Sequence, residues 1–186
     1  MVDVYSMCLK AMGKKDVMPK EVITHAGYKQ KLFKTVVLFV VALLITGVDQ
    51  LFKYFVLAYL TPAVPKQIFP GFNLTLTHNT GIAFGLLHSS NGLVQLILIG
   101  IVIAVILLLS VTLYKSFISE KGAALALTLV LGGAMGNLID RLSRGYVVDF
   151  VDWYIGDLHW FTFNIADAAI CIGAFLLFVV LYRSRN

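Results

Sequence analysis

Leu93-Val-Gln-Leu-Ile-Leu-Ile-Gly-Ile-Val-Ile-Ala-Val-Ile-Leu-Leu-Leu-Ser-Val-Thr-Leu113 decides the class of fold. The run carries no charge, and from Leu96 to Leu109 it has no polar side chain at all. The hydrocarbon core of a bilayer is about 30 Å thick and takes roughly 20 helical residues to cross, so the stretch reads as a transmembrane helix. Three further runs, Thr35 to Leu60, Gly122 to Leu142 and Asn164 to Leu181, are long enough to do the same. Composition agrees: of 186 residues 59% are apolar and 13% charged, where a soluble domain carries about a quarter charged. The expected fold is an all-α polytopic membrane protein with four transmembrane helices.

Four spans leave both termini on one side. Lys10, Lys14, Lys15, Lys20, Lys29, Lys31 and Lys34 precede the first span, Lys115 and Lys121 flank the loop after the second, and Arg183 and Arg185 close the chain. Basic flanks mark the cytoplasmic side, which gives an N-in, C-in topology. The first span has the basic flank of a signal peptide, but it outruns an h-region and more spans follow, so it reads as an uncleaved anchor. Residues 1–34 read as a mobile cytoplasmic tail, 35–183 as the membrane domain with external loops 61–91 and 143–163, and 184–186 as a cytoplasmic end.

The net charge of +5 is accounted for by these flanks and lacks the basic and aromatic interleaving of a nucleic-acid surface, so no nucleic-acid partner is expected. Cys8 and Cys171 are too few for a disulfide framework. His78 and His159 share no metal-ligand spacing and read as surface histidines. In the first external loop Phe72, Leu74 and Leu76 alternate with Asn73, Thr75 and Thr77, a short amphipathic strand for the membrane surface. Asn73-Leu-Thr75 also matches a glycosylation sequon, a weak pattern. In the second loop Val147, Asp149, Val151 and Trp153 alternate with Val148, Phe150, Asp152 and Tyr154. Trp153, Tyr154, Trp160 and Phe161 suit an interfacial belt, and Asp152 and Asp157 read as solvated loop acids.

Depth brings the polar residues together. At about 1.5 Å per residue, Asp49 and Gln50 lie roughly 21 to 23 Å above Thr35, Asn137 about 22 Å above Gly122, and Asp140 and Arg141 about 27 to 29 Å above it. Asp167 falls in the first turn of the fourth helix, just below Asp149. Nearly every intramembrane polar side chain therefore sits near the outer surface. Plainer roles are available one by one. Asp167 fits an Asn164-x-x-Asp167 capping arrangement, Asp49 and Lys53 an i, i+4 ion pair, and Gly132, Gly133 and Gly136 close helix packing. Arg141 fits snorkelling and pairing with Asp140 or Asp49, or contact with substrate carbonyls or lipid.

An unpartnered carboxylate in an apolar setting is costly enough to mark a functional site by default. Two carboxylates brought together cannot both ionise easily, so the pair holds one proton. The charged member can take a proton from an attacking water while the neutral one donates to the substrate carbonyl. The positive potential at the start of the fourth helix suits the charge at Asp167. No His-Glu-x-x-His or Gly-x-Ser-x-Gly motif offers a rival protease chemistry. The alternatives are a proton-coupled or ion transporter using the same acids, which needs polar groups at several depths, and a structural assembly factor in which the acids are scaffold.

Asp49-Gln-Leu-Phe-Lys53, Asn79-Thr-Gly-Ile-Ala-Phe84, Gly132-Gly-Ala-Met-Gly-Asn-Leu-Ile-Asp-Arg141, Val147-Val-Asp-Phe150 and Phe163-Asn-Ile-Ala-Asp167 together resemble the bacterial lipoprotein signal peptidase family, also called signal peptidase II. The resemblance covers about residues 35 to 183. It implies an intramembrane aspartyl endopeptidase that removes prolipoprotein signal peptides by cutting before a diacylglyceryl-modified cysteine. By that likeness Asp149 and Asp167 form the catalytic dyad. Asn79, Asn137, Arg141 and Asn164 line the site, with Asp49 and Lys53 as supporting polar positions. The segment around Asn73 to Phe84 would form a small extracytoplasmic β subdomain that cradles the substrate. The resemblance implies lipid-modified prolipoproteins as partners, no metal or cofactor, sensitivity to the cyclic peptide globomycin, and a site at the outer face of the bacterial inner membrane. Four helices suffice to enclose that site, so a monomer is expected. The tail before Thr35 departs from the family pattern, and no function is carried onto it.

Overall fold

The computed structural model describes residues 25–81, 92–115 and 121–185. The chain divides into two units, Met1–Phe33 and Lys34–Asn186, and the second holds the sheet and the site. Helix α1 (His25–Tyr59) is followed by β1 (Lys66–Phe69), β2 (Phe72–Asn79), α2 (Gly92–Lys115), α3 (Lys121–Arg144), β3 (Val147–Ile155), β4 (Leu158–His159) and α4 (Ile165–Arg185). All four helices are long and apolar enough to span a membrane. Helix α1 begins ten residues before the expected span at Thr35. Hydropathy marks where a helix enters lipid, whereas lysine is a good helix former and lets the helix start earlier. Most of the expected tail and all of 82–91 lie outside the described residues.

Half of the apolar window of α3 is buried, against 22% for α1, 17% for α4 and 11% for α2, so α3 is the central helix. Its glycines explain how neighbours approach it. A Cβ on Gly132 would stand 2.8 Å from the Ala42 carbonyl of α1, and one on Gly136 would stand 2.6 Å from Asp49 Oδ2. A Cβ on Gly133 would collide with the Ala166 carbonyl of α4. From the other side, Gly173 of α4 meets the Ala126 carbonyl of α3. Small residues substitute here for the hydrophobic drive that lipid cannot supply. Ala42, Leu113, Leu127 and Leu131 form the buried centre of this packing, while Leu44, Leu107, Phe175 and Phe178 face outward, as lipid-facing side chains should.

The sheet is antiparallel in the order β1-β2-β3-β4. Gly71, at φ 90°, makes the tight turn between β1 and β2, a conformation that favours glycine. Asn79 pairs with Val147, Thr77 with Asp149 and Asn73 with Asp152, and the register slips between Leu74 and Thr77. The slip puts one extra residue on β2 opposite Phe150, a bulge beside the acid of β3, where such irregularities re-aim side chains. Val56, Leu76, Val148 and Phe150 form a second core under the sheet, joined by Ile165 at the head of α4. That core ties β3 to the ends of α1 and α4.

The reading of Asp152 fails. Asp152 is buried, at 4% exposure, where a solvated loop acid was expected. The register places Asn73 opposite it, and the Asn73 amide donates to Asp152 Oδ2 at 2.9 Å while His159 Nδ1 lies 2.8 Å from Oδ1. A carboxylate is tolerated inside a protein when its lone pairs are filled in this way. His159 likewise is more than a bare surface residue, since it also stacks on Tyr154.

Candidate active site

Asp149 lies on β3, 2% exposed. Asn79, at the end of β2, donates its amide to Oδ2 at 2.9 Å, and Asn164 donates to Oδ1 at 2.6 Å. Burial raises the Asp149 carboxyl to about 7, with the charge of Asp167 as the next cause, although both amides and Lys53 favour ionisation. The shift has the two origins expected of a paired acid, desolvation and a like charge nearby.

Asp167 stands at the third position of α4. Its backbone N–H donates to Asn164 Oδ1 at 2.8 Å, and Asn164 N–H donates to Asp167 Oδ2 at 3.3 Å. This is a reciprocal capping box. The capping role and a chemical role coexist, because the other oxygen, Oδ1, accepts the Asn137 amide at 2.8 Å. Asn137 Oδ1 in turn accepts from Asn164 at 3.2 Å and from Lys53 Nζ at 3.1 Å. Asn164 thus touches both acids, and Asn137 connects Asp167 to α1.

Arg141, one turn after Asn137 on α3, donates to the Gly81 carbonyl at 3.0 Å and to the Asn137 carbonyl at 3.3 Å. Neither of the ion pairs expected for it forms. The cations paired with Asp140 are Arg144, at 2.5 Å, and Lys53, at 2.9 Å. The Gly81 N–H donates to Asn79 Oδ1 at 2.9 Å, so Arg141 braces the strand end that presents Asn79. Asp49 and Lys53 form the expected i, i+4 pair at 2.8 Å, fully buried behind the cleft.

The acids open onto a cleft of about 320 Å³ lined by Asn79, Asp149 and Asp167 together with Trp153, Trp160, Phe161 and Cys171. A largely apolar, aromatic lining with a few polar groups suits an amphipathic ligand with one polar, reacting end. Sequence reading treated the aromatics as a belt and missed their place in the cleft. It also missed Asp140, which pairs with Lys53 at 2.9 Å and receives the Val148 N–H at 3.0 Å. The signals for it were its shared depth with Asn137 and its place in the Gly132–Arg141 block, and it was weighed only as a pairing partner of Arg141. Among the described residues no cluster of His, Cys, Asp and Glu has the arrangement of a metal site.

Four membrane-length helices and a small sheet that set a buried Asp149 and a half-buried Asp167 in one cleft define a multi-pass membrane enzyme. Residues 41–183 match the signal peptidase (SPase) II family model, and the chain belongs to that family, which makes it a protease. It is 44% identical over 138 residues to the lipoprotein signal peptidase of Coxiella burnetii (strain Dugway 5J108-111), covering 74% of this chain and 85% of that protein. To the lipoprotein signal peptidase of Shigella flexneri it is 43% identical over 125 residues, covering 67% and 76%. A bacterial membrane enzyme solved by the in meso method at 2.3 Å resolution superposes with a TM-score of 0.73 at 28% identity, over 81% of this chain and 90% of that one. Another, solved the same way at 1.9 Å, gives 0.68 at 29% identity, over 78% and 92%. The chain is a multi-pass bacterial membrane protein.

Proposed function

We propose that this protein removes the signal peptide of prolipoproteins by cutting before a diacylglyceryl-modified cysteine, using Asp149 and Asp167 as a water-activating pair. The observation that carries the reading is that Asp149 and Asp167 line one cleft and are both bonded to Asn164, where burial and the charge of Asp167 push the Asp149 carboxyl up to about 7. At neutral pH such a pair keeps one proton. Asp149 then acts as the acid: its O–H donates to the carbonyl oxygen of the scissile bond. Asp167, with positive helix-end potential beside it, accepts a proton from water as the water oxygen attacks the carbonyl carbon. Collapse of the tetrahedral species returns a proton to the leaving amine, with no covalent enzyme intermediate.

Asn164 and Asn137 keep the two carboxylates oriented, and Asn79 holds the outer oxygen of Asp149. Arg141 braces the Asn79 strand end and keeps a cation near the reacting carbonyl. The aromatic side chains in the cleft lining suit the acyl chains and flanking residues of a lipid-modified cysteine. Those chains remain in the bilayer and hold the bond near its surface, which favours a site at the outer face of the inner membrane. The enzyme works as a monomer, without metal or cofactor.

Incubation of the purified protein with one prolipoprotein, before and after diacylglyceryl modification, tests this reading. Cleavage confined to the modified form is expected. Equal cleavage of both forms would remove the lipid from the recognition step, and cleavage of neither would remove the activity.

A further inference from the structure

Behind the cleft a second set of charges is gathered on α1 and α3. Lys53 Nζ lies 2.8 Å from Asp49 Oδ2 and 2.9 Å from Asp140 Oδ2, and none of the three side chains has exposed surface. Arg144 closes the set at 2.5 Å from Asp140 Oδ1, and the Gln50 amide donates to the same oxygen at 3.0 Å. Two acids and two bases balance one another. Charge balance alone, however, leaves unexplained what the acids do with their remaining lone pairs.

Each spends one on a backbone N–H from a different element. Asp49 Oδ1 accepts from Ala166 at 2.9 Å, and Asp140 Oδ2 accepts from Val148 at 3.0 Å. Ala166 immediately precedes Asp167, and Val148 immediately precedes Asp149. The Ala166 N–H belongs to the first turn of α4, where the helix itself supplies no acceptor. Two acids on two helices therefore hold the two backbone segments that carry the cleft carboxylates, and one ammonium holds the two acids to each other.

We propose that Asp49 and Asp140, clamped by Lys53, are positioning residues that set the separation of Asp149 and Asp167. The proposal rests on the reading of those two as the catalytic pair. Asp140 acts on the reaction at a distance, directly through the backbone of β3 and through Lys53, which also donates to Asn137. Hydrogen bonds from N–H groups to carboxylates are among the stronger kinds. Their geometric effect is large, because a misplacement of about 1 Å in an active site costs on the order of 10²-fold in rate.

The test compares two double variants of the full chain in detergent or liposomes, acting on lipid-modified prolipoprotein. Asp140→Asn/Arg144→Met and Asp140→Leu/Arg144→Met each remove one charge of either sign, so Lys53 and Asp49 stay balanced in both. Asparagine keeps an oxygen for the Val148 N–H and leucine does not. The leucine pair is expected to lower kcat by about tenfold or more with KM changed less than about twofold, and the asparagine pair to recover most of that loss. Should the leucine pair fail to fold, as read by thermal unfolding, Asp140→Ser/Arg144→Met takes its place with the same expected loss, since its oxygen is too short to reach. Asparagine and deletion variants with the same kcat, or a loss carried by KM, would overturn the clamp. Full activity in Asp149→Asn would instead reject the catalytic pair itself, whatever the clamp variants do.

Discussion

Asn164 and Asp149 meet through a side-chain amide donated at 2.6 Å, and the same asparagine exchanges two further hydrogen bonds with Asp167. One residue, through its side chain and its backbone N–H, thereby fixes an acid on a strand relative to an acid on a helix. Replacing it with alanine removes an N-cap, which costs about 0.5–2 kcal/mol of stability. It also removes the side-chain link between the two carboxylate-bearing segments, leaving Asp149 to Asn79 and Asp167 to Asn137, so the loss of kcat should exceed about tenfold. Thermal unfolding and turnover measured on Asn164→Ala separate the two effects; a variant that is destabilised yet fully active would contradict the link.

The pH dependence has a definite sign. Asp149 carries its proton up to about 7, above the ordinary 3.8. A proton-donating Asp149 makes kcat fall as pH rises through that value. The stability linkage runs the same way: for a group with a raised folded value, the contribution is full below the unfolded pKa and is lost as pH climbs through about 7. Since Asn79 favours the ionised form of Asp149, Asn79→Ala should move the alkaline fall in kcat to higher pH. A shift to lower pH would show that the titrating group is elsewhere.

Lys53→Met should be among the most damaging single changes outside the cleft. It leaves buried Asp49 without its paired cation and buried Asp140 with Arg144 alone. Removing one partner of a buried ion pair costs about 3–5 kcal/mol, so the variant should be depleted from membranes relative to the parent. Parental abundance and thermal midpoint would mean that the cluster is not the strut it is taken to be.

Helix packing gives a sharper contrast. A methyl group at Gly133 would collide with the Ala166 carbonyl next to Asp167, whereas a methyl group at Gly100 meets nothing within 4 Å. Overpacking of this kind costs about 1–3 kcal/mol. Gly133→Ala should therefore lower both the unfolding midpoint and kcat, with Gly100→Ala close to the parent in each. Equal behaviour of the two would argue against a tight seam between α3 and α4.

Length and apolar content were enough to read the four spans, because a bilayer imposes one crossing distance on every helix. The acids of the cleft were legible for the same reason: Asp149 and Asp167 stand out in a chain with few charges. Asp140 was not, since its importance comes from the N–H of Val148 and the ammonium of Lys53, contacts that no local spacing encodes. Asp152 looked like a solvated loop acid because its neutralising partner Asn73 lies far away in sequence and arrives only through the pairing of β2 with β3. The start of α1 at His25 was hidden because lysines mark the edge of the membrane without ending a helix.

The most direct test is cleavage of a diacylglyceryl-modified prolipoprotein by purified Asp149→Asn and Asp167→Asn variants, with membrane abundance and thermal midpoint measured alongside. Both variants should accumulate and fold while showing no turnover above background. Turnover near the parental rate in either one would contradict the two-carboxylate mechanism.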